Sequence, residues 1–312
     1  DIGTDTKKLI CRTADELGYM TSSAARALKT NRTFNIGVLF VDEQNSGLTH
    51  EYFSSVLDAL KVEAERNGYD ITFISRNVGK KDHTYLQHCR YRGVDGVVIA
   101  CVNFKDPQVV NLVQSEIPVV TIDHEFNNRT AVVSDNIAGM ERLVSCAVSK
   151  GHRKIGYIHG ELNSVTEKRI LGFYRACQKL GLNIPDSYLR KGVFHDTEIC
   201  ARETGRLLEL PDPPTCILFP DDFSAIGGIN EIRRRGLRIP EDISVAGYDG
   251  IHLAEMLSPP LTTYRQNTEE LGRTAASRLI ELIESPKTTV PERVTVTGCL
   301  IGGETLGEFP FV

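Results

Sequence analysis

Leu17-Gly18-Tyr19-Met20-Thr21-Ser22-Ser23-Ala24-Ala25-Arg26-Ala27-Leu28-Lys29, closing at Thr33, runs straight into Ile36-Gly37-Val38-Leu39-Phe40. The first segment is short, basic and helix-prone, and the second is an apolar run that opens a strand. From Ile36 onward, short apolar runs alternate with helical patterns, the mark of a parallel sheet with crossover helices. Strands are expected at Ile36–Val41, Ile71–Ser75, Gly96–Val102 and Pro118–Ile122, then at Lys154–His159, Cys216–Phe219 and Ile243–Gly247. Glu51–Asn67 sets Phe53, Val56, Leu57, Leu60 and Ala64 on one helical face, with Gly68 as its stop. Ser134-Asp135-Asn136 caps a helix running to Lys150, and Asp221-Asp222 caps Phe223–Arg235. The two series share one layout, which predicts an α/β fold of two doubly wound parallel-sheet lobes.

Leu261–Gln266 then precedes a long helix, Thr268–Glu284, with Leu271, Ala275, Leu279 and Ile283 on one stripe, and a β-rich tail follows at Arg293–Ile301. A strand–helix unit arriving after the second lobe can return to the first, so the chain crosses between lobes more than once. The expected division is an arm at 1–33, a first lobe of 34–133 plus 264–291, and a second of 134–263 plus 292–312. Open α/β sheets bind ligands at the carboxyl ends of their strands, so facing lobes make a cleft there.

Composition narrows the function classes. The 312 residues suit two compact lobes, and 41% hydrophobic with 25% charged residues is ordinary globular material. No apolar run reaches the roughly 18–20 residues needed to cross a bilayer. The eight cysteines are scattered and never form Cys-x-x-Cys, which reads as reduced thiols of a cytoplasmic protein. The net charge of −5 argues against a whole-protein nucleic-acid coat. The arm nevertheless carries Lys7, Lys8, Arg12, Arg26, Lys29 and Arg32 against Asp1, Asp5, Asp15 and Glu16, so a polyanion contact belongs there. The chain opens at Asp1 without an initiator methionine, which reads as a fragment.

Catalytic signatures are missing. There is no phosphate-cradling Gly-rich loop, no nucleophile elbow and no His-Glu-x-x-His helix. His83, His88 and Cys89 cluster without metal-ligand spacing, and Asp221-Asp222 is better read as a cap than as an acid/base pair. The expectation is a binding protein with neither cofactor nor metal. An enzyme on a two-lobed scaffold lacks its nucleophile.

Many stretches in order resemble the lactose-repressor/galactose-repressor family of bacterial transcription regulators. Glu16-Leu17-Gly18-Tyr19 resembles the end of its DNA-binding headpiece, and Ala25-Arg26-Ala27-Leu28 its hinge helix. The body adds Gly151-His152-Arg153-Lys154-Ile155, Arg169 before Gly172-Phe173, Ile239-Pro240-Glu241-Asp242-Ile243-Ser244-Val245 leading to Gly247-Tyr248-Asp249, and Pro259-Pro260-Leu261-Thr262-Thr263. The resemblance implies a ligand-responsive regulator, most simply a repressor, with lobes like those of type I periplasmic binding proteins. The family's first two headpiece helices have no counterpart in this chain, so major-groove readout lies outside it.

Several residue roles follow. Ser22–Lys29 is about two turns, too short for an isolated helix in water, and should order on pairing and docking on DNA. By resemblance Leu28 is an apolar wedge in the minor groove and Lys29 a groove contact. Arg26 and Arg32 can neutralise phosphates, and Lys7 and Tyr19 belong to the headpiece remnant. Asp249 ends a buried strand, where a carboxylate can accept two hydroxyl hydrogens, and Arg169 offers a planar fork of donors. Asp221, Asp123, Phe194, Tyr52 and Phe53 are further candidates; Phe194 matches an aromatic that the family sets against a sugar face. The implied partners are operator DNA and a small-molecule effector, with a carbohydrate as the default and a nucleobase, sugar phosphate or protein corepressor left open. An exposed apolar stripe on Glu51–Asn67 and family habit point to a side-by-side homodimer, with a tetramer left open. The rival reading is a transporter's sugar-binding protein of the same fold, with no use for Ala25–Lys29.

Overall fold

The computed structural model describes residues 3–19, 27, 30, 32–42, 47–78 and 81–309. Helix α1 (Thr4–Glu16) comes first and leaves Leu9 and Ile10 exposed. Strand β1 (Asn35–Phe40) opens the body and is buried along its middle. Its alternation explains the burial: Ile36 and Val38 enter the core on one face of the sheet, and Leu39 enters the core on the other.

The first sheet contains β1, β2 (Asp70–Phe73), β5 (Gly96–Ala100), β6 (Val119–Ile122), β7 (Thr130–Ser134) and β13 (Arg293–Val296), in the order β13-β7-β6-β5-β1-β2. Every pairing in it is parallel. A hairpin of β3 (Asn77–Val78) and β4 (Lys81–Asp82) stands apart. The second sheet runs β14-β12-β11-β10-β8-β9, built from β8 (Ile155–His159), β9 (Leu189–Lys191), β10 (Cys216–Leu218), β11 (Ser244–Asp249), β12 (Thr262–Arg265) and an antiparallel edge, β14 (Cys299–Ile301). Each sheet has a hydrophobic core on both faces, as helices covering a parallel sheet require. The doubly wound two-lobed α/β expectation therefore holds.

Four details differ from the sequence reading. Helix α2 (Glu51–Arg66) does not expose its apolar stripe: Val56, Leu57, Leu60 and Ala64 are buried in the first lobe's core. They pack against α10 (Thr268–Glu284), where a Cβ on Gly272 would lie 2.1 Å from the Val56 carbonyl oxygen, so only glycine allows this approach. Strand β12 lies wholly in the second sheet, because parallel register to β11 carries it through Tyr264 and Arg265. Strand β13 completes the first sheet beside β7, so residues 293–296 do not belong to the second lobe. The chain thus crosses between lobes after β7, after β12 and after β13. Strand β7, fully buried, was not recognised in the sequence. Among the described residues, no helix is long and apolar enough to cross a membrane.

Candidate functional site

The cleft between the lobes gathers the ends of strands from both sheets. Asp249 ends β11 with φ +106, a conformation rarely adopted by side-chain-bearing residues. The next turn explains how it is held. Asp222, the first residue of α8 (Asp222–Arg234), is buried, and its Oδ2 accepts the backbone N–H groups of Gly250 at 2.7 Å and Ile251 at 3.0 Å. Its Oδ1 accepts the Thr263 hydroxyl at 2.6 Å. One carboxylate therefore ties the ends of β11 and β12 together. Burial holds the Asp222 carboxyl well above the usual range, with the Asp249 charge adding to it.

Asp249 itself is buried. Its Oδ1 accepts from the Gln266 amide at 2.7 Å and lies 3.6 Å from Nη2 of Arg169. Burial pushes its carboxyl up to about 7, against the pull of Arg169. Arg169 projects from α6 (Ser164–Lys179) with only 3% of its surface exposed. Its Nε donates to Asn136 Oδ1 at 2.8 Å and its Nη1 to the Pro220 carbonyl at 2.7 Å. The guanidinium lies over the Tyr248 ring at 3.6 Å, which holds the fork flat. Two nitrogens are thus fixed by the protein, and the third faces Asp249.

Across the cleft, Asp123 follows β6 with φ +58. It accepts the Tyr52 hydroxyl at 2.9 Å and the Ser134 N–H at 2.8 Å. Burial raises its carboxyl, and the buried Tyr52 phenol is raised well above its ordinary value for the same reason. Phe53 stands edge-on to Phe40 at 5.5 Å, partly buried against the first lobe's core. Phe194 lies flat on Gly160, where a Cβ would come within 2.2 Å of its ring, and 5.8 Å from the Arg169 guanidinium.

The structure thus brings together Asp249, Arg169, Asp123, Tyr52 and Phe194. Asp221 is spoken for as the N-cap of α8: Oδ1 accepts Ser224 N–H at 2.7 Å, and Oδ2 accepts the Ser224 hydroxyl at 2.7 Å and His195 N–H at 2.9 Å. Sequence reading missed Asn136, Gln266 and the turn-holding role of Asp222. Only Asp222 left a signal, as the second of two adjacent acids where a cap needs one. Gln266 is 4% exposed, and its Oε1 has no hydrogen-bond partner while its Nε2 holds Asp249. That pairing leaves a buried acceptor beside a buried carboxylate, an arrangement suited to a ligand rich in donors.

Among the described residues, few polar contacts bridge the lobes. Ser164 Oγ donates to the Asp123 carbonyl at 2.9 Å, Lys168 pairs with Glu125, and Glu51 accepts the backbone N–H of His252.

The candidates for DNA contact separate from this site. Lys7 lies on the exposed face of α1 and Tyr19 is exposed just beyond it. Arg26, Leu28 and Lys29 lie outside the described residues. Arg32 turns back onto the body: its Nη2 donates to the Ile283 and Glu284 carbonyls, both at 3.2 Å, and its Nη1 lies 3.6 Å from Glu284 Oε1.

A periplasmic binding protein-like domain family matches residues 144–306. The chain is 31% identical over 310 residues to the HTH-type transcriptional repressor PurR of Haemophilus influenzae strain PittEE, covering 96% of this chain and 89% of that one. Its fold is similar to that of the transcriptional regulator CelR in complex with cellobiose, with a TM-score of 0.76, 22% identity, and coverage of 98% and 92% of the two chains. A LacI family transcriptional regulator from Enterococcus faecium with bound ribose gives a TM-score of 0.74 at 25% identity, covering 88% of this chain and 100% of that one.

Proposed function

Because the chain belongs to the LacI family of transcriptional repressors, we propose that it is a cytoplasmic homodimeric repressor whose interlobe cleft takes a small carbohydrate effector. The observation that carries the effector reading is the buried Arg169–Asp249 pair at 3.6 Å. A carboxylate and a pre-oriented guanidinium nitrogen are the partners that vicinal hydroxyls need, one accepting and one donating. The unpartnered Gln266 Oε1 adds a second acceptor. Among the described residues no other buried cation faces the Arg169–Asp249 pair, so neutral polyols fit better than phosphorylated sugars. The two neighbours holding cellobiose and ribose support the same class.

Operator binding is proposed through the N-terminal arm and the headpiece it resembles, docking as a two-fold pair on a roughly palindromic site. The arm enters the first lobe at a fixed point. Thr33 and Phe34 donate their N–H groups to the two Asp95 oxygens, at 2.9 and 2.8 Å. A change in lobe angle on effector binding therefore displaces the arm as a unit with the first sheet. Effector and operator then change each other's affinity by one common factor.

The test is a thermal-shift and calorimetric screen of neutral sugars, starting with cellobiose and ribose. It is followed by operator binding of the complete repressor with and without each hit. Binding that Asp249→Asn abolishes, coupled to altered operator affinity, is the expected result. A complete repressor whose operator affinity no cleft ligand changes overturns the proposal.

A further inference from the structure

The residue that opens α2 is His50, in the N-cap position, yet its side chain makes no capping hydrogen bond. Its ring instead lies face to face with His195 of the second lobe, centroids 4.4 Å apart and planes 23° from parallel. His195 continues the stack onto Phe223, at 4.0 Å and 9°. Three rings, one from the first lobe and two from the second, form a column between the lobes. His195 is pinned in it by a left-handed backbone, φ +58, and by its N–H bond to Asp221 at 2.9 Å. Phe53 and Tyr52 flank His50 edge-on, at 5.0 and 6.4 Å. Nδ1 of His50 is buried without a hydrogen-bond partner.

We propose that this column is a proton-operated latch: a neutral His50 imidazole holds the two lobes together, and charging it drives them apart. The pairing has little else to do. His50 neither caps its helix nor touches the Arg169–Asp249 pair, and a buried imidazole packed among rings is held there favourably only while it is neutral.

The charged groups facing His50 decide the direction. Burial and the neighbouring His195 make protonation harder, whereas Asp221 and Asp42 make it easier, and burial wins: His50 sits below its ordinary 6.5. Its neighbour Glu51 is engaged with the His252 backbone. A histidine whose value is depressed in the closed form stabilises that form fully above its free value, and the stabilisation is lost as pH falls through the depressed value. The latch therefore opens on acidification below about 6.5. Asp249, pushed up to about 7, titrates in the same window, so the experiment must separate the two.

The ligand-free chain is measured at about pH 7.5 and about pH 5.5 by small-angle X-ray scattering and hydrogen exchange, with circular dichroism confirming that it stays folded. The expected result is a larger radius of gyration at the lower pH. Exchange around residues 50–53 and 194–196, corrected for the intrinsic pH dependence, should be several-fold faster. His50→Phe keeps a ring in the column, removes the proton site and leaves Asp249 untouched, so this variant should stay closed at both values. A wild-type chain with the same dimensions and exchange at both pH values overturns the latch, as does a His50→Phe variant that opens equally. Either outcome leaves the effector reading intact, since that reading stands on ligand binding at Asp249.

Discussion

A single carboxyl carries the chemistry proposed for the cleft. Asp249 accepts from Gln266 and faces Arg169, yet burial lifts it to about 7. Only the ionised form accepts hydroxyl hydrogens at both oxygens. Affinity for a hydroxyl-bearing effector should therefore fall below about pH 7, approaching a tenfold loss per pH unit. Calorimetric titration from about pH 8 to about pH 5.5 checks this, and a flat profile sinks it. The same shift has a stability sign. A carboxyl raised above its unfolded value contributes stability that is complete below about 4 and lost as pH rises through about 7. Asp249→Asn should accordingly flatten part of the decline in denaturation midpoint between pH 5 and pH 8, a change worth about 1–3 kcal/mol. Asp249 was legible as a candidate because a polar residue closes an apolar strand there, whereas Arg169, inside a helix, was offered by its donor fork and the family resemblance. Asp222 showed only as a spare acid beside a cap; its turn-holding bonds reach residues 28, 29 and 41 positions away, and no local pattern encodes such a bond.

Helices were the most legible elements, and the reason is local. Asn267 caps α10 through Glu270 N–H, an apolar stripe follows, and the observed span, Thr268–Glu284, is the one expected. Caps and a 3.6-residue period both lie within the segment itself. Strand β7 escaped because Thr130 and Ser134 at its ends are polar, leaving an apolar run of only three residues, although all five are buried. Which sheet the tail joins was equally hidden: β13 and β14 are separated by two residues yet pair in different lobes. Packing between helices carries its own prediction. A methyl on Gly272 would meet the Val56 carbonyl at 2.1 Å, backbone against backbone, with no flexible side chain to yield. Gly272→Ala should destabilise the first lobe by about 2–4 kcal/mol in urea denaturation, and a loss under about 0.5 kcal/mol contradicts the close approach. At the other end of α10, Arg32 donates to its last carbonyls with a side chain one-third exposed. Arg32→Ala should cost about 0.5–1 kcal/mol through the loss of that contact, read by the same denaturation. A phosphate contact alone would leave the stability of the DNA-free chain unchanged.

At the scale of the whole molecule, the lobes are tethered by three chain crossings but held shut by few side chains. Lys168 pairs with Glu125 across the cleft, with 25% and 40% of the two side chains exposed, so solvent screens the pair. Such a bridge is worth at most about 1 kcal/mol. Removing it shifts the balance between closed and open forms by no more than that, a factor of up to about five. An effector held from both lobes binds only the closed form, so its apparent affinity scales with the closed fraction. Lys168 touches none of the groups assigned to the ligand, and Lys168→Ala therefore isolates closure from recognition. The variant should weaken effector binding about two- to fivefold, with a correspondingly larger radius of gyration in the ligand-free state. The factor by which effector alters operator affinity should stay the same wherever effector saturates, because the intrinsic affinities of the two forms are untouched. Calorimetry for the effector and operator binding at saturating effector measure the two quantities independently. A loss far beyond tenfold makes Lys168 a ligand contact instead, and unchanged affinity with unchanged dimensions shows that the lobes do not rely on this bridge.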